Sequence, residues 1–215
     1  MRKYNFNENY FDCVDCQEKA YWLGFFAADG YNHQSKGCIE FRLHNQDREI
    51  LEKFKCSIGA KNPIGLYKNT YCNLTLYSNH LCTKLSEYGL GQAKTYTLQV
   101  PLLSSDLMRH FIRGYFDGDG CFSVTKRKDR TESSLTYQFN ITGMPEPLRI
   151  IQEYLINNIG ITDNGLKSRN NTVAVTIHYS GKKVCKRILD YLYQDAAIYL
   201  QRKYNKYQEY CISAE

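Results

Sequence analysis

No stretch of this sequence approaches the ~18 consecutive apolar residues that a membrane-spanning helix needs, and its first sixteen residues lack the apolar core of a secretory leader. These absences predict a chain that neither spans a membrane nor is exported. The nine cysteines make an odd number, which argues for reduced thiols rather than a disulfide framework. Cys13 and Cys16 have the spacing of half a zinc site, but no second such pair and no paired histidines follow, so structural zinc is not expected. Charge of one dominant sign is also missing. The 28 basic and 22 acidic residues leave +6, an excess that suits a polyanionic partner without demanding one. At 215 residues, 43% hydrophobic and 23% charged, the composition is that of a globular chain of one or two domains. An A- and T-rich coding sequence would account for the nineteen tyrosines.

What the sequence does contain is a repeat. Tyr21-Trp-Leu-Gly-Phe-Phe-Ala-Ala-Asp29-Gly30 returns ninety residues later as Phe111-Ile-Arg-Gly-Tyr-Phe-Asp-Gly-Asp119-Gly120. Ser57-Ile-Gly59 is answered by Asn158-Ile-Gly160, Gly65-Leu66 by Gly165-Leu166, and the run from Leu81 to Tyr88 by the run from Val184 to Tyr191. Two long copies are too few for a solenoid; they predict two similar subdomains, residues 1–100 and 101–215, joined by a connector over Thr97–Ser105. Within each copy an apolar helix (Glu18–Ala28; Leu107–Gly118) stops at Asp-Gly. A strand pair follows, whose second members include Cys38–Leu43 and Tyr137–Ile141. A helix over Asp47–Phe54 or Pro147–Asn157 leads to a second strand pair across Gly65–Tyr77 or Gly165–Tyr179, then a closing helix. The predicted class is α+β, two pseudo-symmetric αββαββα subdomains.

Gly24 and Ala28 are four apart, as are Gly114 and Gly118, so one face of each motif helix is nearly bare and another helix can approach it closely. Trp22, Phe25, Phe26, Ile112, Tyr115 and Phe116 read as core. If the bare faces pack together, Asp29 and Asp119 emerge side by side at the negative ends of two helices. Like charges there raise one pKa unless a divalent cation neutralises them. Hard oxygen ligands suit Mg²⁺, and metal ions drive in-line phosphodiester hydrolysis. Taken singly, either Asp-Gly could be no more than a helix stop; the symmetric pair points to a site.

The two motifs resemble those of a LAGLIDADG homing endonuclease of the two-motif, single-chain type, and the resemblance covers essentially the whole chain. It implies a monomer whose motif helices pair and whose antiparallel sheets form a DNA-binding saddle. In the family the last acid of each motif binds the catalytic metals, which implies Asp29 and Asp119 as ligands, with the backbone carbonyls of Ala28 and Gly118 completing the set and Mg²⁺ as cofactor. The acid usual two positions earlier is Ala27 in the first motif and Asp117 in the second; that position lies outside the metal site. A basic residue beyond each closing helix corresponds to Lys94 and to Lys203, with Arg202 as a competitor for the second. A cation there stabilises developing charge or polarises water.

A two-stranded ribbon fits the major groove, so the polar faces of the strands supply the candidates for base readout: Glu40 and Arg42, then Gln138 and Asn140. Gln46, in the turn after the first of these strands, organises water or is a plain turn residue. Lys126, Arg127, Lys128 and Arg130 form a basic loop suited to phosphate contact, and the basic, aromatic segment from Tyr199 to Tyr207 suits a backbone contact. The implied partner is double-stranded DNA with a long, asymmetric target, with intron RNA as a further partner known in the family. The implied activity is a staggered double-strand break that promotes homing, in the cytoplasm or wherever the host DNA resides. The rivals are a nucleic-acid-binding protein of the same fold without cleavage, and a sugar-nucleotide enzyme using Asp117-x-Asp119, which leaves Asp29-Gly30 unexplained. Asp117-Gly-Asp119 does not open an EF-hand, because Lys128 stands where that loop needs glutamate.

Overall fold

Helix α1 (Gln17–Asp29) is buried without a break from Ala20 to Ala27, and a helix apolar all the way round must be covered on every side. One side is covered by a four-stranded antiparallel sheet of β1 (Gly30–His33), β2 (Cys38–His44), β3 (Gly65–Tyr67) and β4 (Tyr71–Tyr77), ordered β1-β2-β4-β3. The alternation of β2 and β4 explains the two faces of that sheet. Phe41 stands opposite Leu74 and Leu43 opposite Cys72, all buried. The intervening Glu40, Arg42, Asn73 and Thr75 line the open face. Phe25 and Phe26 pack on Phe41 at ring separations of 5.6 and 5.4 Å, and Trp22 on Phe54 of helix α2 (Arg48–Ile58) at 5.1 Å. The indole N–H of Trp22 donates to Ser57 Oγ, 2.9 Å away. Helix α3 (Asn79–Glu87) starts at Ser78, whose hydroxyl accepts from Leu81 N, a standard N-cap.

The other side of α1 is covered by α4 (Ser105–Asp119) at backbone distance. A side chain at Gly24 would run into the carbonyl of Phe111, one at Gly114 into the carbonyl of Tyr21 and the amide of Phe25, and one at Gly118 into Ala28. The small residues of both motifs are therefore what lets the helices close on each other, and the flanking Trp22, Phe25, Phe26, Ile112, Tyr115 and Phe116 are core, as their spacing predicts.

The structure is a computed structural model that describes residues 4–91, 98–126, 135–168 and 172–212. It divides into two compact units, Met1–Gly118 and Asp119–Glu215. The first therefore includes nearly all of α4, which follows from the packing just given. In the second unit β5 (Gly120–Lys126), β6 (Leu135–Gly143), β7 (Lys167–Ser168) and β8 (Val175–Ser180) form another antiparallel sheet, ordered β5-β6-β8-β7. Helices α5 (Pro145–Ile159) and α6 (Lys182–Tyr193) cover it. The element order is αββαββα twice over, as the repeat predicts. Helices α2 and α5 end alike, at Gly59 and Gly160, with φ of +66° and +59°, the left-handed cap that favours glycine.

Element ends differ from the sequence pattern for local reasons. A short 3₁₀ turn (Asn45–Asp47) precedes α2, which makes Asp47 its N-cap, and the helix then runs on to Ile58. Helix α5 begins at Pro145 rather than Pro147, because Pro145 takes the first helical position behind Met144. The C-terminal segment folds into α7 (Gln201–Tyr207) and a π-helical turn (Gln208–Ile212). Its aromatic side chains are spent internally: Tyr193 packs against Tyr199, Tyr204 and Tyr207, and the rings of Tyr199 and Tyr204 stack at 3.9 Å. Arg202 and Lys206 of the same helix stay exposed.

Candidate metal and nucleic-acid site

In the first unit the motif helix delivers Asp29 to the mouth of the sheet. It is the last residue of α1, and β1 starts at Gly30, whose N–H closes the helix on the carbonyl of Phe26. The half-buried Asp29 and Ala28 line a cavity of about 450 Å³ with Tyr31, His33, Glu40 and Arg42. Glu40 is engaged on both oxygens: Oε1 accepts from Arg42 Nη2 at 2.8 Å and Nε at 3.2 Å, and Oε2 lies 3.2 Å from His33 Nε2. The exposed Arg42 guanidinium also lies 5.5 Å from the centre of the Tyr67 ring. Of the two charged strand residues expected at the DNA surface, Arg42 thus presents its edge and Glu40 orients it. Gln46 is exposed in the turn after β2, with its backbone N–H donating to His44 Nδ1.

The acid beside the motif's end has a different environment. Asp117 is fully buried and accepts a hydrogen bond from Tyr21 OH on α1 at 2.9 Å. Arg113, one turn earlier and equally buried, lies with its guanidinium over the Tyr21 ring and 2.6 Å from His110 Nδ1. Because arginine only donates, His110 accepts at Nδ1 and is the neutral Nε2–H tautomer. Burial, reinforced by the Arg113 and Arg109 charges, pushes its pKa down to about 4. Asp117 therefore belongs to a buried polar network on the helix pair.

In the second unit Asp119 ends α4 exposed to solvent. Lys203 on α7 is buried and donates from Nζ to the carbonyl of Gly120, 2.6 Å away, so this cation is held beside the residue that follows Asp119. Tyr207, on the same helix, donates to Asp190 Oδ1 at 2.8 Å. On the open face of the second sheet lie Gln138 and Asn140. Asn140 Oδ1 accepts from His178 Nδ1 at 2.6 Å, and burial and Lys167 lower the His178 pKa. Lys126 is exposed at the end of β5. Lys94, Arg127, Lys128 and Arg130 lie outside the described residues.

The sequence reading missed Tyr31, His33 and His178 as lining residues. Counting by twos from Asp29 finds the first two, and the β6–β8 register, which pairs Asn140 with His178, finds the third. All nine cysteines are free thiols, as their odd number suggests. Among the described residues, no group of three or more His, Cys, Asp or Glu side chains is placed to hold a metal ion. Asp29 and Asp119 each offer a carboxylate at a helix end, the hard oxygen donor that a divalent cation such as Mg²⁺ accepts.

Two αββαββα units opened by closely paired glycine-bearing helices define the fold of the LAGLIDADG nucleases. The chain superposes on a lysine-to-alanine mutant of I-SmaMI with a TM-score of 0.66 at 14% identity, covering 90% of this chain and 89% of that one. I-CpaMI bound to uncleaved DNA gives 0.64 at 16% identity, over 90% of each chain. I-SmaMI bound to cleaved DNA gives 0.64 at 14%, over 90% and 87%. The family model described as LAGLIDADG endonuclease matches residues 112–214. The replication factor C small subunit of Methanocaldococcus jannaschii is 30% identical over 123 residues, 54% of this chain. The match spans only 6% of the length of that curated relative. Among the described residues no helix is long and apolar enough to cross a membrane.

Proposed function

We propose that the protein is a DNA endonuclease that hydrolyses phosphodiester bonds with the help of Mg²⁺. The observation that carries this reading is the retention of an acid at the end of both motif helices, Asp29 in one repeat and Asp119 in the other. In the proposed site these carboxylates, with the carbonyls of Ala28 and Gly118, hold the metal. The bound ion would stabilise charge on the attacking and leaving oxygens of an in-line displacement. Lys203 supplies a cation beside Gly120 that lowers the energy of charge developing on the phosphate, and Lys94 has the corresponding role in the first repeat. Arg42, Gln46, Gln138 and Asn140 read base edges, with Glu40 fixing the Arg42 fork. Lys126, Arg127, Lys128 and Arg130 meet the phosphate backbone.

The fold shared with I-SmaMI and I-CpaMI supports DNA as the partner, because those proteins were solved bound to it, and one I-SmaMI structure was determined in the presence of calcium ions. The two sheets carry different side chains on their open faces, so the target is long and asymmetric, engaged by a single chain. Staggered breaks at such a site would promote homing of the gene itself or of a host intron or intein.

The test is incubation of the protein with Mg²⁺ and a library of randomised duplexes, followed by sequencing of the new ends. Double-strand breaks with short overhangs at one recurring sequence are expected. Enrichment of a bound sequence without breaks would replace this reading with that of a DNA-binding protein. No enrichment of any kind would remove double-stranded DNA as the partner.

A further inference from the structure

Five of the nine cysteines are buried and fill the core as small apolar side chains, whereas Cys13, Cys16, Cys56 and Cys121 are exposed. Cys56 and Cys121 stand alone in the chain, but Cys13 and Cys16 are three apart in the segment that leads into α1. The fold of a motif helix does not call for them, because ninety residues on the corresponding positions are Leu103 and Asp106. Among the described residues, no further ligands gather with them around a metal ion. The segment is anchored at both ends and open between. Tyr10 and Phe11 are buried before it, and α1 is buried from Ala20 after it. Lys19, in the first turn of α1, gathers the loop: its Nζ donates to the carbonyl of Cys13 at 3.0 Å and pairs with Asp15 Oδ1 at 3.0 Å. The same ammonium interacts electrostatically with both thiols.

Two exposed thiols in one short loop, tied to one cation, have the parts needed for disulfide exchange: a sulfur to attack and a second sulfur to displace what the first picks up. We propose that Cys13 and Cys16 form a reversible dithiol–disulfide site that exchanges with small-molecule disulfides of the glutathione type. The thiolate of one cysteine attacks a sulfur of the small disulfide, whose S–S bond breaks with its electron pair leaving on the other sulfur, which takes up a proton. The second cysteine gives up its proton and attacks the protein sulfur of the mixed disulfide. The Cys13–Cys16 bond forms and the remaining small thiol leaves. In sum the pair loses two electrons and two protons, and the small disulfide becomes two thiols. Lys19 offers the passing thiolate a counter-charge at each step. The bond closes at the start of α1, about 20 Å along the helix from Asp29, so this site is independent of the nuclease reading.

The experiment incubates the reduced, full-length protein with a concentration series of oxidised glutathione, quenches in acid, alkylates the remaining thiols and reads each cysteine by peptide mass. The peptide carrying Cys13 and Cys16 should lose two hydrogens and retain no glutathione. It should do so at about tenfold lower oxidised glutathione than modifies Cys56 or Cys121, because the second step is intramolecular. Excess dithiothreitol should restore both thiols. In Cys13→Ser the remaining Cys16 should retain one glutathione, and in Cys16→Ser so should Cys13. Both positions are exposed, so neither change should lower the melting temperature. Lys19→Gln should slow closure at least about threefold while leaving the modification of Cys56 unchanged; an unchanged rate would remove Lys19 from the site. Glutathione retained separately on Cys13 and Cys16 of the unaltered protein, a bond from either to a third cysteine, or oxidation no easier than at Cys56 and Cys121 would overturn the assignment.

Discussion

At the scale of single residues the molecule separates acids that do similar things in sequence and different things in space. Asp117 and Asp119 are two apart, yet one is fully buried under Tyr21 and the other is exposed at the helix end. Asp29→Asn and Asp119→Asn should each abolish DNA cleavage while leaving specific binding within about threefold, because an amide keeps the shape but is a poor Mg²⁺ ligand. Wild-type single-turnover rates in either variant would remove that residue from the mechanism. Lys203→Met should slow cleavage more than tenfold, about 1.4 kcal/mol on the barrier, at saturating protein. Tyr21→Phe deprives a buried carboxylate of one donor and should cost roughly 1–3 kcal/mol in urea unfolding, with the chemistry untouched.

His110 gives the same buried network a pH dependence. Its pKa is held down to about 4 in the folded protein against an ordinary 6.5, so the unfolded chain takes up a proton that the folded one refuses. The stabilising effect of keeping it neutral is complete above pH 6.5 and is lost as pH falls toward 4. Between pH 6.5 and 5 the loss should be roughly 2 kcal/mol, read as a falling urea midpoint. In His110→Gln that slope should be largely absent; an unchanged slope would place the titrating group elsewhere. The acids of the motifs were legible in the sequence because they repeat. The network around Arg113 was not, because a charged residue on a mostly apolar helix reads as surface until its aromatic neighbour from another helix is known.

At the scale of elements, the helices and strands were readable from periodicity, and the close approach of the helices from the small residues spaced four apart. The pairings across the sheets were not. Nothing in the order of residues says that Glu40 stands beside both His33 and Arg42, since that depends on the four-residue strand β1 and on the register that sets Tyr31 opposite Glu40. The helix contact yields the sharpest test. At Gly114 even a methyl group would meet the backbone of Tyr21 and Phe25, and backbone cannot rotate away as a side chain can. Gly114→Ala should cost about 1–3 kcal/mol and Gly114→Leu more, each with a further loss of cleavage because Asp29 and Asp119 sit at the ends of the displaced helices. By contrast, Gly165→Ala faces open space and is limited only by its positive φ, so it should cost about 1 kcal/mol and leave cleavage alone. Equal effects at the two glycines would mean that helix separation does not govern the site.

At the scale of the whole molecule, the repeat suggests cutting the chain at the connector, near residue 100, whereas compactness parts it after Gly118. The difference is helix α4, which follows the connector in sequence but covers α1 in space. A fragment of residues 1–100 would leave the α1 face bearing Tyr21, Gly24 and Phe25 without its partner, a loss of apolar cover that a small domain with little stability to spare cannot absorb. A fragment of residues 1–118 keeps that cover and the sheet on the other side. The single tryptophan makes the comparison direct, because Trp22 is fully buried on α1 with its indole bonded to Ser57. Residues 1–118 should show blue-shifted Trp22 emission and one cooperative urea transition. Residues 1–100 should emit as an exposed indole, unfold without a sharp midpoint and aggregate through the uncovered helix. If the shorter fragment kept buried emission and the same midpoint, α1 would be stable without α4, and the paired helices would serve to place Asp29 and Asp119 rather than to hold the first unit together.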